Sequence, residues 1–316
     1  MTPPLDVGVV GVGHLGRHHA RLYAQDKDVR LIGIVDRDRE RAAAIASEYG
    51  CRVFDNEADL ASKVDAVSVA VPTEHHREVA VNLIEAGAHV LIEKPLARSI
   101  EEAERINRAA EQRGRIVMVG HTERFNPAVR ALADAIDKPR FFEIHRLAEF
   151  SARSTDIDVV LDLMIHDLDL LLALNGTDPV SVDAAGVAAL TDKIDIANAR
   201  IRFASGCVAN LTASRISGKP VRRLRVFQAR TYMSCDTGKR RVERHRLVLQ
   251  DDGTPRIAHD FLPIEDVEPL ACELATFVAA VRRGESPSID GRQGQRALEL
   301  AHRVGEVIAA QPGPVG

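Results

Sequence analysis

The sequence is poor in cysteine and carries little net charge. Its 316 residues include four cysteines, Cys51, Cys207, Cys235 and Cys272, which lie far apart without the spacing of a metal site. Such sparse use is typical of a reducing compartment, so we expect free thiols and no metal centre. A net charge of −4 gives no general attraction to nucleic acid or to an anionic membrane.

Long hydrophobic runs and export signals are also missing. No stretch approaches the roughly 18 apolar residues of a transmembrane helix, and no basic segment precedes the first apolar run. The 45% hydrophobic and 28% charged residues match ordinary globular domains. We therefore expect a cytoplasmic protein without a membrane or nucleic-acid partner.

The chain does contain a glycine-rich segment directly after a short apolar run, residues 7–10. Gly11, Gly13 and Gly16 have the spacing G-x-G-x-x-G and lead into a predicted helix. Gly11 allows a tight turn, Gly13 allows backbone N–H groups to approach a pyrophosphate, and Gly16 allows the helix to pack against the strand. The pattern is typical of dinucleotide binding.

A second apolar run, residues 31–35, ends at Asp36, about 20 residues after Gly16. At that distance a carboxylate reaches the adenosine ribose hydroxyls and repels a 2′-phosphate, which predicts NAD as the cofactor. Arg37 and Arg39 could attract such a phosphate, so NADP stays open. His14, Leu15 and Arg37 complete the cofactor contacts that we expect in this unit.

Strand and helix patterns alternate up to about residue 120 and then give way to consecutive strand patterns. The first part predicts a doubly wound parallel sheet, a Rossmann domain over residues 1–121. The second, residues 122–316, should be an α/β domain with an open, largely antiparallel sheet, because short turns join its strands. Its predicted strands are 180–188, 194–203, 207–216, 224–233 and 241–249.

Two segments with candidate chemistry follow. Glu93-Lys94-Pro95 stands at the carboxyl end of a predicted strand, the edge where open α/β sheets bind ligands. Lys94 could point its ammonium group into a cofactor cleft, or it could be a solvated charge at a strand end.

A strongly apolar helix is predicted over residues 159–174, and Asp162, His166 and Asp169 share one of its faces. Asp162 could fix the tautomer of His166, whose other nitrogen would then accept a proton from a substrate. The alternative is a buried Asp–His pair that satisfies itself. Asp167 and Asp169 are predicted to be structural partners.

Together, the glycine motif, Glu93-Lys94-Pro95 and Asp162-x-x-x-His166 resemble the Gfo/Idh/MocA family over essentially the whole chain. The resemblance implies a Rossmann domain followed by an open-sheet domain that makes subunit contacts, hence a homodimer or homotetramer. It also implies oxidation or reduction of one carbon of a sugar, cyclitol or nucleotide sugar with NAD.

The resemblance further implies roles for individual residues. Lys94, Asp162 and His166 match the catalytic and substrate-contacting positions. The loop containing Pro72, Thr73 and His75 should pass near the nicotinamide, as should the Glu93-Lys94 segment, and Arg124 and Asn126 match a segment near the substrate. His166 is our first choice as the proton acceptor, with Lys94 either stabilising the alkoxide or acting as the base itself.

Residues 141–174, with Glu123-Arg124-Phe125-Asn126-Pro127-Ala128, resemble the branch that oxidises UDP-N-acetylglucosamine at C3 for lipid A diamino-sugar synthesis. Residues 221–246, with nine Lys or Arg against two acids, could bind a diphosphate, or could be a solvated face or an oligomer contact. Two alternatives stay open: an inositol or free-sugar dehydrogenase of the same family, and a non-catalytic NAD-binding sensor.

Overall fold

The computed structural model describes residues 3–151 and 157–311. The chain forms two compact units. One contains the chain up to Thr122 together with Glu268–Leu298, and the other contains Glu123–Val267 together with the chain from Glu299 onward. The predicted boundary near residue 121 lies beside the end of the first segment, and the chain returns to the first unit at Glu268.

The first unit is built on a six-stranded parallel sheet in the order β3-β2-β1-β4-β5-β6, which confirms the predicted doubly wound fold. Its elements are β1 (Leu5–Val10), α1 (Gly16–Gln25), β2 (Val29–Val35), α2 (Arg39–Tyr49), β3 (Arg52–Val53), α3 (Glu57–Ala61), β4 (Ala66–Val69), α4 (His76–Glu85), β5 (His89–Glu93), α5 (Ile100–Arg113) and β6 (Val117–Gly120). All four residues of β4 are buried, as expected of a strand covered on both faces.

Local signals in the sequence set the helix ends in this unit. The side chains of Asp38 and Ser99 accept N–H groups at the starts of α2 and α5. Both helices end at a glycine in the left-handed conformation, Gly50 (φ 67°) and Gly114 (φ 59°). These boundaries follow from short-range chemistry alone.

The later segment of the first unit includes α8 (Pro269–Arg283) and the start of α9 (Gly291–Ala309). The Val119 N–H donates to the carbonyl of Ile289 at 3.0 Å, and Asn107 Nδ2 donates to the carbonyl of Gly291 at 3.2 Å. These bonds attach the segment to β6 and α5.

The second unit is built on an eight-stranded sheet in the order β14-β13-β12-β11-β7-β10-β9-β8. Its elements are α6 (Pro127–Ala135), β7 (Phe141–Leu147), a π-helical turn (Val160–Met164), α7 (Ile165–Asn175), β8 (Pro179–Val187), β9 (Ile196–Phe203), β10 (Val208–Ser214), β11 (Val221–Gln228), β12 (Thr231–Asp236), β13 (Arg241–Leu249) and β14 (Pro255–Phe261). Among the described strands of this second sheet, only β7 and β10 pair in parallel, so the prediction of a largely antiparallel sheet is confirmed.

In the second unit, two strands lie outside the predicted set, and one predicted strand is divided. β7 and β14 are additional, and the predicted strand 224–233 is two strands, β11 and β12. The turn between them contains Arg230 at φ 58°, a backbone conformation that glycine or asparagine usually adopts in such turns.

All four cysteines are free thiols. Within the described ranges, none of the helices combines the length and apolar character that a membrane span requires.

Candidate functional site

The first unit contains a cleft of about 540 Å³ at the carboxyl ends of β1, β2 and β4. Of the predicted cofactor residues, those that line it are Gly11, Gly13, His14, Leu15, Asp36, Arg37, Pro72 and His75. Gly16, Thr73, Glu93 and Lys94 are not among its lining residues in the described part of the chain. Eight of the twelve predicted cofactor residues therefore line the cleft, and four do not.

The glycine segment leaves room for a pyrophosphate. Gly11 adopts φ 83°, and a Cβ there would come within 2.7 Å of the carbonyl oxygen of Ala70. A Cβ on Gly16 would overlap the carbonyl oxygen of Gly11, whereas one on Gly13 would have no atom within 4 Å. Gly13 thus faces open space just before α1, whose amino end favours an anion.

The carboxylate of Asp36 is held by three neighbours at the end of β2. It accepts the N–H groups of Val12 at 2.7 Å and Asp38 at 2.8 Å, and Arg41 contacts both of its oxygens, at 2.7 and 3.3 Å. Burial alone would raise the pKa of Asp36, but the bonds from Arg41 and these N–H groups lower it below its usual value. The group is therefore ionised at neutral pH.

Arg41 is a cleft residue that the sequence analysis does not predict. It lines the cleft with Arg37, whereas Arg39 pairs with Asp55 at 2.7 Å and is not among the lining residues. Its place in the first turn of α2, close after Asp36, is the one sequence signal for it. A carboxylate has about four acceptor positions, so a ribose hydroxyl that binds Asp36 has to replace or share the Arg41 contacts.

The donor set and shape of the cleft fit NAD. Asp36 would hold the ribose, the N–H groups after Gly11 and the start of α1 would hold the pyrophosphate, and the Pro72 and His75 loop would border the nicotinamide. Thr73 begins the 3₁₀ turn Thr73–His75 in that loop.

His76 ties this loop to the Lys94-Pro95 segment. Its Nδ1 lies 2.9 Å from the carbonyl oxygen of Pro95, and its Nε2 lies 2.9 Å from that of Val71. Burial lowers the pKa of His76, and a neutral ring can donate through only one nitrogen at a time. His76 is a second residue that the sequence analysis does not predict, because its contact with Pro95 is tertiary.

Glu93 and Lys94 differ sharply in their surroundings. Glu93 is 6% exposed and accepts a hydrogen bond from Nε2 of the fully buried His19 at 2.9 Å. Burial raises the pKa of Glu93, but the bond from His19 and the neighbouring Lys94 hold it below its usual value. Lys94 follows at the carboxyl end of β5 and is half-buried.

In the second unit, two aspartates of α7 anchor that helix. The carboxylate of Asp167 accepts hydrogen bonds from Nε and Nη2 of the buried Arg146, at distances from 2.7 to 3.1 Å. The carboxylate of Asp169 accepts two hydrogen bonds from the guanidinium of Arg124, at 2.6 and 2.7 Å. Burial raises the pKa of Asp167, despite Arg146. The two aspartates are structural partners, as the sequence analysis expects.

Asp162 and His166 stand at the start of the same segment and are both half-buried. Asp162 lies in the π-helical turn, and His166 lies in the first turn of α7. A π turn has i→i+5 hydrogen bonding, whereas the sequence predicts a continuous α-helix over residues 159–174. Such turns occur frequently at functional sites.

Arg124 and Asn126, the weaker substrate candidates, both have partners in the second unit. Arg124 is the guanidinium that binds Asp169. Asn126 is buried, its Oδ1 accepts the Ala128 N–H and caps α6, and its Nδ2 donates to the carbonyl of Thr237 at 3.0 Å. A role of either residue in substrate binding stays a prediction.

Part of the basic segment 221–246 is neutralised by neighbouring strands. Arg225 pairs with Glu143 at 2.8 Å, and Arg244 and Arg246 both pair with Asp260, at 2.6 and 3.0 Å. The charge available to a diphosphate is correspondingly smaller than the sequence count indicates.

Comparison with known proteins gives consistent matches over both units. Residues 5–121 match the oxidoreductase family with the NAD-binding Rossmann fold, and residues 133–233 match the GFO/IDH/MocA C-terminal domain. A UDP-N-acetylglucosamine 3-dehydrogenase of Acidithiobacillus ferrooxidans is 42% identical over 305 residues, covering 96% of this chain and 97% of that protein. An inositol 2-dehydrogenase of Rhizobium meliloti is 29% identical over 316 residues, covering 93% and 94%.

Solved structures agree with these matches. A structure of the Acidithiobacillus ferrooxidans enzyme has a TM-score of 0.92 at 40% identity and covers 98% of this chain and 99% of that one. A crystal structure of a protein from Sinorhizobium meliloti, at 24% identity, has a TM-score of 0.82 and shares the fold. The chain therefore belongs to the Gfo/Idh/MocA family of NAD-dependent oxidoreductases.

Proposed function

We propose that this protein oxidises the C3 hydroxyl of UDP-N-acetylglucosamine to the 3-keto sugar, with NAD as the cofactor. The observation that carries the proposal is the 42% identity to a UDP-N-acetylglucosamine 3-dehydrogenase over nearly the full length of both chains. The inositol dehydrogenase of similar coverage has 29% identity. An inositol or free-sugar dehydrogenase is therefore the second candidate.

Oxidation of an alcohol removes a hydride from carbon and a proton from oxygen. NAD supplies the hydride acceptor when bound. The protein has to accept the proton and stabilise negative charge on the oxygen while it develops. We propose that His166 accepts the proton, because an imidazole changes charge near neutral pH.

Lys94 is the second proposed catalytic residue. Its backbone is fixed at the end of β5 by the buried Glu93 on one side and by Pro95, which His76 contacts, on the other. As an ammonium group it would lower the pKa of the substrate hydroxyl and stabilise the alkoxide. A neutral Lys94 would itself be the base.

Asp162 is proposed to orient His166 and to stabilise its protonated form. Asp167 and Asp169 are partners of Arg146 and Arg124, whereas Asp162 lies four residues before His166 in the same segment. A non-catalytic NAD-binding sensor would need the glycine segment but would have no use for Lys94, Asp162 and His166 together.

The product of this proposed reaction is a 3-keto sugar, which an aminotransferase can convert to an amine. Oxidation followed by amination is the order of steps expected in lipid A diamino-sugar synthesis. Removing the ketone would also draw an unfavourable oxidation forward. The test combines purified protein, NAD, UDP-N-acetylglucosamine, such an aminotransferase and glutamate, and looks for the 3-amino product by mass spectrometry. The Lys94→Ala variant is the matched control and should give none.

The two candidate functions give opposite results in a parallel substrate series. The proposal predicts turnover of UDP-N-acetylglucosamine and little turnover of free N-acetylglucosamine or myo-inositol. Oxidation of myo-inositol, with no 3-amino product from the nucleotide sugar, would favour the second candidate instead.

A further inference from the structure

The sheet of the second unit carries two histidines and a glutamate side by side on β13 and β14. His245 and His259 are directly opposite in the antiparallel register, and Glu243 is two residues before His245 and so lies on the same face. All three side chains are partly exposed, with relative accessibilities between 32% and 43%. None of them belongs to the cofactor cleft or to the α7 segment.

The ligand atoms of these three residues converge. Glu243 Oε1 is 2.8 Å from His259 Nε2 and 3.5 Å from His245 Nε2, and the three ligand atoms all lie within 4.8 Å of one another. Nitrogen and oxygen ligands about 2.0–2.2 Å from a Zn²⁺ ion stand about 3.0–3.5 Å apart in a tetrahedral site. Small rotations of the side chains would therefore bring all three to one ion, with the strands unchanged.

Neighbouring rings hold the two imidazoles in place. The ring of His245 stacks on Tyr232 with centroids 5.4 Å apart, and the ring of His259 lies 4.7 Å from that of His245 and 5.2 Å from that of Phe261. Side chains that are already ordered lose less conformational entropy when they bind a ligand. The cluster is thus partly pre-organised.

A hydrogen bond explains only part of this arrangement. The contact from His259 to Glu243 is a normal hydrogen bond, but the 3.5 Å contact from His245 is at the limit for one. A lone surface pair would also be worth little, about 0–1 kcal/mol. Two imidazole nitrogens facing one carboxylate oxygen form the donor set of a two-histidine, one-carboxylate metal site.

We propose that Glu243, His245 and His259 bind a divalent first-row transition-metal ion, with Zn²⁺ as the expected occupant. The remaining coordination positions would hold water or a group of a second copy packed on this face. Arg241, on the same strand and face, lies over the Phe261 ring at 5.3 Å, and its charge opposes a cation. The site is not visible as a sequence motif because its ligands come from two strands.

The test titrates Zn²⁺ into full-length, tag-free, chelator-treated protein by calorimetry. The double variant His245→Gln/His259→Gln should lose affinity at this site by tenfold or more. His145→Gln is the matched control, because His145 is also partly exposed and faces a glutamate, Glu143, at 3.9 Å. This control should bind like the unaltered protein.

Two further measurements separate a metal site from a merely structural cluster. Arg241→Gln should tighten binding about twofold to tenfold, because it removes an opposing charge. X-ray absorption of the zinc-loaded protein should show two imidazole ligands. Unchanged zinc affinity in the double variant, or zinc bound without imidazole ligands, would overturn the proposal. Dehydrogenase activity should be the same in all these variants.

Discussion

At the scale of single residues, the segment from Val160 to Asn175 carries two aspartates that pair with arginines and two residues, Asp162 and His166, for which we propose a catalytic role. Arg146 and Arg124 engage Asp167 and Asp169, and both aspartates are buried, so removing either carboxylate would take a partner from its arginine. Asp162 and His166 lie near the start of the segment and are half-buried. The proposed catalytic roles of these two residues and of Lys94 can be tested directly.

We predict that Lys94→Ala and His166→Asn each lower kcat by about a hundredfold to ten-thousandfold with little change in NAD affinity. Both side chains would act on charge that develops during the reaction, so their loss affects turnover rather than cofactor binding. Steady-state kinetics with UDP-N-acetylglucosamine, together with NAD titration by fluorescence, give the two quantities separately.

Asp162→Asn should be less damaging, with a loss on the order of tenfold to a thousandfold, because His166 stays while its orienting partner changes. Near-normal turnover in the Lys94 or His166 variant, with intact NAD binding, would refute the site assignment.

The preference for NAD is predicted to depend on Asp36. Asp36→Ala removes both the ribose acceptor and the charge that repels a 2′-phosphate, and it leaves Arg37 and Arg41 in the cleft. The ratio of kcat/KM for NAD to that for NADP should therefore fall. Arg39→Ala is the control, because Arg39 pairs with Asp55, and should leave the ratio unchanged. Equal or better efficiency of the unaltered protein with NADP would contradict this account.

Sequence patterns locate residues whose role follows from their own neighbours in the chain. Gly11, Gly13 and Asp36 are predicted in this way, and the structure places all three at the cleft. Arg41 and His76 are not predicted. Arg41 reaches Asp36 from five residues along the chain without matching a known motif, and His76 contacts the carbonyl of Pro95, 19 residues away, only when the two segments pack together.

At the scale of elements, the loop between β8 and β9 depends on one buried carboxylate. Asp195 accepts the N–H groups of Ala189, Leu190 and Thr191 at 2.7 to 2.9 Å and pairs with Arg215 at 2.9 Å. Burial raises the pKa of Asp195, but these donors outweigh it and hold the pKa far below its usual value. Its contribution to stability is present at neutral pH and is lost as the pH falls toward the folded-state pKa.

We predict that Asp195→Ala destabilises the second unit by about 3 kcal/mol, because Arg215 and the loop N–H groups lose a common acceptor. Asp192→Ala, an exposed position in the same loop, should have almost no effect. Thermal unfolding of both variants at neutral pH measures the difference, and equal melting temperatures would contradict the role assigned to Asp195.

The helices and strands were predictable where the spacing of apolar residues and the turn-forming residues at the ends indicate the same element. The parallel strands of the first unit are short, apolar and separated by helices, so their order along the chain can be read directly. The division of β11 from β12 could not be predicted, because Arg230 makes the turn without glycine or asparagine. Likewise, β14 begins at Pro255 and lies at the sheet edge, where a strand needs fewer residues of high β-propensity.

At the scale of the whole molecule, the second sheet has one buried and one open face. Along β9, Ala197, Ala199, Ile201 and Phe203 are buried and alternate with exposed residues. On the open face at the other edge of the sheet, four large apolar side chains are exposed: Leu247 (37%), Leu249 (59%), Ile257 (61%) and Phe261 (51%). Exposed apolar patches of this kind are typical of protein interfaces.

We therefore predict a homodimer or homotetramer that assembles through this open face, and the proposed zinc site, which is on the same face, would then lie at the subunit contact. Light scattering at micromolar concentration should give a multiple of the 34.5 kDa chain mass. Leu249→Lys/Ile257→Lys should shift the population toward the monomer, whereas Leu190→Lys, an exposed leucine in the loop before β9, should not. A monomeric mass for the unaltered protein would count against the prediction.

The central claim is hydride transfer from C3 of UDP-N-acetylglucosamine to NAD, and isotopic labelling tests it most directly. UDP-N-acetylglucosamine carrying deuterium at C3 is incubated with the protein and NAD, and the reduced cofactor is analysed by mass spectrometry. The account predicts that the deuterium appears in the reduced cofactor. Reduced cofactor without deuterium would contradict it. So would a protein that forms no reduced cofactor with UDP-N-acetylglucosamine but readily oxidises myo-inositol in a separate incubation.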